Sequence, residues 1–165
     1  MAVMMPHKGE QNPVVCAVDS ATVIEHGDNV FQEVDDVRPV GNDANADGTG
    51  DLWSTSEGVT QLAAKEKYMG VAQQASRAGD TDPISVCTSG EFLFDCDSDT
   101  FELGEYLTFA KTSGNNLENR KVKATLEHEL AFAVVSKREA VATTKVWGRI
   151  TSTVMSGGLH ADVGS

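Results

Sequence analysis

Between residues 14 and 154 the apolar residues fall in short runs rich in Val, Ile, Phe and Thr, broken by Gly, Asp, Asn and Ser. This pattern predicts an all-β fold, a compact β-barrel or jelly-roll-like sandwich with little helix. The strands fall at 14–18, 22–25, 29–34, 37–40, 58–63, 68–74, 84–88, 91–95, 105–110, 121–125, 130–136 and 140–154. Ser89-Gly90, set between the alternating runs ISVCT and EFLFD, predicts a hairpin. Gly27-Asp28 and Gly104-Glu105 each precede a strand, with the glycine turning the chain and the acid facing water. Helix is suggested at QLAAKEKY (Gln61 to Tyr68), while 117–130 fits neither period cleanly. Residues 41–58 and 111–120 are polar and rich in Gly and Asn, which predicts long loops.

One pattern repeats. DSATVIEHGDNV (Asp19 to Val30) returns, a residue shorter, as DSDTFELGEYL (Asp97 to Leu107). YMGVAQQAS (Tyr68 to Ser76) is answered by AFAVVSKRE (Ala131 to Glu139), and ISVCTSG (Ile84 to Gly90) by TKVWGRI (Thr144 to Ile150). Three echoes in one order predict an internal duplication. The spacing, 77 residues from Gly27 to Gly104, is too long for a solenoid unit. Two similar β lobes closing on one core are expected, within one domain over 14–154. Residues 1–13 are expected to form an extended N-terminal arm and 155–165 a flexible tail.

Composition narrows the function. At 165 residues, 40% apolar and 23% charged, the chain is sized for one globular domain. Thirteen basic against 25 acidic residues, net −12, disfavour nucleic acid and anionic membranes as partners. No apolar run approaches the ~20 residues of a membrane helix, and the start MAVMMPHKGE lacks the apolar core of a secretion signal. Three cysteines (Cys16, Cys87, Cys96) without CxxC spacing predict free, buried thiols in a reducing compartment.

Chemistry-bearing motifs are weak. Asp43-x-Asn45-x-Asp47-Gly48-Thr49-Gly50-Asp51 resembles the start of an EF-hand loop, but Gly50 replaces an aliphatic residue and Ser54 the bidentate Glu. HELAF (His128 to Phe132) has Phe132 where a zinc site needs its second His. The acids Asp95, Asp97, Asp99 and Glu102 read as a charged strand edge. No catalytic residue, metal site or cofactor is therefore assigned. Trp147, following Val146 in a strand, is expected in the core, and Trp53, in a loop, as a partner anchor.

The order of the turns and strands resembles a family of phage capsid cement (head decoration) proteins. The resemblance rests on Gly27-Asp28-Asn29-Val30, Val37-Arg38-Pro39-Val40, Tyr68-Met69-Gly70-Val71-Ala72, the strand Val86 to Gly90, and Gly104-Glu105. It covers roughly 14–152. The chain departs from the family in its acidic loop 41–58 and in Ala133-Val134-Val135 where a second Gly-Val-Ala unit would sit. The resemblance implies a protein without an active site that binds the outer face of an assembled head and strengthens it. It also implies the major capsid protein and further copies of the chain, as a homotrimer, for partners, and assembly in a host cytoplasm. Val3, Met4, Met5 and Pro6 are apolar with no core to join, and so are candidates for lattice contact. The alternative is a β-sandwich adhesion or ligand-binding module dependent on calcium or carbohydrate.

Overall fold

The computed structural model describes residues 6–41, 52, 56–112 and 115–156. Its strands are β1 (His7–Lys8), β2 (Pro13–Cys16), β3 (Asn29–Glu33), β4 (Asp36–Pro39), β5 (Tyr68–Ala72), β6 (Ile84–Cys87), β7 (Glu91–Phe101), β8 (Tyr106–Lys111), β9 (Leu117–Thr125), β10 (Ala133–Val135) and β11 (Glu139–Ile150). The helix α1 spans Glu57–Glu66. Strand makes up 49% and helix 10% of the described residues, so the all-β expectation holds against a usual helix share of about one-third.

Alternation builds the strands. In β7, Phe92, Phe94 and Cys96 are buried, while Asp95 is exposed and Glu91 and Leu93 lie half out. Their partners in β11 follow suit, with Val146, Gly148 and Ile150 buried and Lys145 and Arg149 exposed. The outer face is laced by unlike charges, Arg149 on Glu91 at 2.9 Å and Lys145 on Asp95 at 2.6 Å. Such cross-strand pairs favour this register.

The duplication is written into the topology. One sheet runs β2-β6-β5-β3-β4 and the other β7-β11-β10-β8-β9, with β1 added outside β7. Each half therefore lays its first, fifth, fourth, second and third strands side by side. A parallel pairing, Asp95 with Lys121 and Cys96 with Val122, joins β7 to β9 and closes the second half into a barrel. In the first half a single backbone bond, Val37 N–H to the Ala17 carbonyl at 2.9 Å, draws the corresponding strands together. Helix α1 lies between β4 and β5, and a 3₁₀ turn at His128–Leu130 lies between β9 and β10.

Two buried clusters follow from this plan. Cys16, Val18, Ile24, Val30, Val37, Met69, Ala72, Ile84 and Val86 fill the first lobe. The larger cluster fills the second barrel and extends to Phe31, Tyr68, Val71 and Cys87 of the first lobe. All five residues of β5 are buried, because β5 serves both clusters. The aromatic junction is compact. Phe109 stacks on Phe132 at 4.2 Å between centroids, and Tyr68 approaches both rings, at 5.6 and 4.9 Å.

Several local expectations change. Residues 58–63 are helix rather than strand, and helix ends at Glu66. The side chains α1 buries are Thr60, Gln61 and Ala64, which carry little apolar signal. Residues 22–25 hold one bridge, Ile24 to Ser76, in place of a strand. The Ser89-Gly90 turn is real (Gly90 φ 110°), yet β6 and β7 do not pair and belong to different sheets. The turn carries the chain from one lobe to the other. The loop expected at 111–120 is short, since β9 begins at buried Leu117. The N-terminal stretch is extended but lies along the body from Pro6 onward. Leu93 N–H donates to the Pro6 carbonyl, and Thr88 and Ser89 N–H both donate to the Gln11 carbonyl. Pro13 is already part of β2.

Candidate functional site

The two Gly-acid turns are one hydrogen-bonded unit made twice. Gly27 N–H donates to the Ala72 carbonyl at 2.9 Å, and Ala72 N–H returns to Asp28 at 2.8 Å. Gly104 N–H donates to the Val135 carbonyl at 3.0 Å, and Val135 N–H returns to Glu105 at 2.8 Å. Both glycines sit at positive φ, 93° and 82°, where a side chain is disfavoured. Around the turns the first two sequence echoes therefore correspond, Gly27 to Gly104 and Ala72 to Val135, whereas Asp19 to Val23 is irregular and Asp97 to Phe101 belongs to β7. The third is displaced by two: Ala72 faces Val86 while Val135 faces Gly148. A slip of two residues keeps each side chain on its face, which is how the match at the wrong register arose.

The turns differ in what surrounds them. Asp28 and Asn29 are buried at the joint between lobes, with 2% and 0% exposure. Asp28 accepts Glu25 N–H at 2.9 Å and faces Arg120 of β9 at 3.5 Å. Arg120 also reaches Glu25 at 3.1 Å. Burial pushes the Asp28 carboxyl up to about 6, opposed by the Glu25 amide and by Arg120. Asn29 accepts the Tyr68 hydroxyl at 2.8 Å, deep in the core. Burial holds the Tyr68 phenol well above its ordinary value, so it remains a donor. Two further bonds fasten the lobes: Gln61 to the Phe109 carbonyl at 2.8 Å, and Gly41 N–H to Asn119 at 2.8 Å. Hydrophobic patterning misses this joint, because its working side chains are polar.

The sequence-marked residues do not converge on one place. Val3, Met4, Met5, Trp53 and the calcium-like stretch 43–51 lie outside the described residues. Pro6 is exposed beside β7. Cys16, Cys87 and Cys96 are free and buried as expected. Burial raises all three thiols, and Cys96, further raised by Asp95, Asp97 and Asp99, reaches about 11. Of the acids Asp95, Asp97, Asp99 and Glu102, three are ion-paired. Asp95 pairs with Lys145, Asp97 with Lys121 at 2.7 Å, and Glu102 with Arg138 at 2.7 Å. Trp147 is not in the core. With Val146 turned inward it faces out, and Lys8 from β1 lies 4.9 Å over its ring. His128 sits in the 3₁₀ turn beside Tyr106, with ring centroids 6.0 Å apart. Among the described residues no group of three or more His, Cys, Asp or Glu is placed to hold a metal. None of their helices is long and apolar enough to cross a membrane.

The second lobe also presents apolar surface that sequence patterning did not single out. Leu126 is 99% exposed, Val141 80% and Leu103 66%. Val141 lies in the outer half of β11, where Ala140, Ala142, Thr144 and Lys145 are exposed as well. Comparison with models of known protein families, with curated proteins and with solved structures yields no match.

Proposed function

We propose that this chain is a structural decoration, or cement, protein that binds the outer surface of an assembled phage head and stabilises it. The observation that carries this reading is the hydrogen-bonded unit of Gly27-Asp28 with Gly70-Val71-Ala72. Two of the stretches on which the family resemblance rests form one structural device there, and the device recurs at Gly104-Glu105. Two repeats sharing an aromatic junction make a stiff body with two faces of related shape, which suits a protein that bridges neighbouring subunits of a shell. The partner is the major capsid protein. Net charge −12 leaves shape and apolar contact to dominate attachment, so binding should survive moderate salt. Val3, Met4, Met5 and Pro6 are the proposed lattice-contacting residues, since Pro6 reaches the surface beside β7.

Co-sedimentation of the purified protein with preassembled, undecorated heads of its phage tests the reading. Saturable binding is expected, with lower occupancy when residues 2–5 are deleted. Unchanged occupancy would remove that segment from the mechanism, and no binding by the intact chain would remove the cement role.

A further inference from the structure

The outer half of β11, Glu139 to Lys145, has β7 on one side and, among the described residues, no strand on the other, because β10 covers β11 only at Gly148 to Ile150. Its sequence EAVATTK is uncharged between its ends and rich in small and β-branched residues. The corresponding segment of the first lobe lies between Ser76, whose bridge to Ile24 parallels that of Glu139 to Phe101, and Ile84. That segment reads RAGDTDP, with Gly79, Pro83 and two acids, and it is irregular. The fold thus tolerates an interrupted chain here, and the second lobe carries a strand-forming one instead. An exposed edge of this composition is a template for pairing.

From this edge we infer that the chain pairs with a second copy of itself, β11 against β11, antiparallel about Ala142. This pairing goes beyond the cement reading, does not depend on it, and replaces the homotrimer that the family resemblance implies. The two-fold axis is chosen by charge. Centring on Ala142 sets Glu139 of each copy opposite Lys145 of the other, twice per dimer, and opposes Val141 to Thr143 between them. Lys145 already touches Asp95 at 2.6 Å, and Glu139 touches Lys137 at 3.7 Å. Both partners are exposed, so these contacts are weak competitors. Register shifts against β7 fall within this stretch, between Glu139 and Thr143 and between Thr143 and Lys145, and the proposed pairing uses the opposite edge of the strand.

The test is the mass of the full chain in solution, combined with cysteine trapping. A dimer is expected, and either a trimer or a monomer at the highest soluble concentration would overturn the pairing. Ala142→Cys should form a disulfide-linked dimer on mild oxidation, since directly opposed Cα atoms lie about 4.5–5.5 Å apart. Ala140→Cys should not, because residue 140 faces 144 of the other copy. Equal trapping at both positions would contradict the register. Cys16, Cys87 and Cys96 are buried and give a clean background. Glu139→Lys should weaken the dimer by roughly tenfold through two like-charged pairs. Adding Lys145→Glu should restore it, and failure of the swap to restore would also overturn the proposal.

Discussion

Tyr68 of the first lobe sets its ring edge-on against Phe132 of the second, with centroids 4.9 Å apart, and buries its hydroxyl on Asn29. One side chain thus makes an apolar link across the joint and a polar link within its own lobe. Phe132→Ala should destabilise the protein by about 3–5 kcal/mol, through lost transfer energy and the cavity left among Tyr68, Phe94 and Phe109. Tyr68→Phe keeps the ring but strands the Asn29 oxygen, at a cost of about 1–3 kcal/mol. Urea unfolding of both variants checks the order of the two effects.

Asp28 predicts a pH signature. Its carboxyl lies at about 6 in the folded chain against an ordinary 3.8. Over that window the folded state binds more protons than the unfolded one, so the contribution of Asp28 to stability falls as pH rises. Arg149 and Lys8 hold Glu91 below its ordinary value, which contributes stability above that value and loses it in acid. The two slopes oppose each other in the wild type. Asp28→Asn, which can still accept the Glu25 amide, should remove only the first. The variant should therefore gain on the wild type between pH 4 and 6 and be at least as stable at pH 7. Denaturation midpoints across that range would show it, and a variant that loses ground as pH rises would contradict the assignment.

The glycines separate strain from close approach. Gly104 sits at φ 82° with open space where a Cβ would be, so Gly104→Ala should cost about 1–2 kcal/mol and still fold. At Gly70 an added Cβ would lie 1.9 Å from the Cys87 carbonyl oxygen, so β5 and β6 would have to separate. Gly70→Ala should not yield soluble folded protein, as solubility and circular dichroism of the two variants would reveal.

Much of this architecture is legible in the chain because turns and alternation are local. The Gly-acid turns report positive φ directly, and the repeat they begin predicts two matching lobes. The alternation around Val146 contained the answer for Trp147: with Val146 inward, its neighbour must face out, and the size of the indole obscured this. Ser89-Gly90 shows the limit of turn chemistry. It marks a reversal, but which sheet receives the next strand depends on contacts between β7 and β11, from Glu139 with Phe101 to Arg149 with Glu91, far apart in sequence. The inter-lobe joint was illegible for another reason. Asp28, Asn29, Gln61 and Arg120 read as surface residues, and only the meeting of the two lobes makes them interior or half-buried.

The cement role is tested most directly by imaging undecorated phage heads mixed with the purified protein by electron cryomicroscopy. The account predicts added density on the outer face, at fixed lattice positions, into which two β lobes of like topology fit. Heads that remain bare at saturating protein would contradict it.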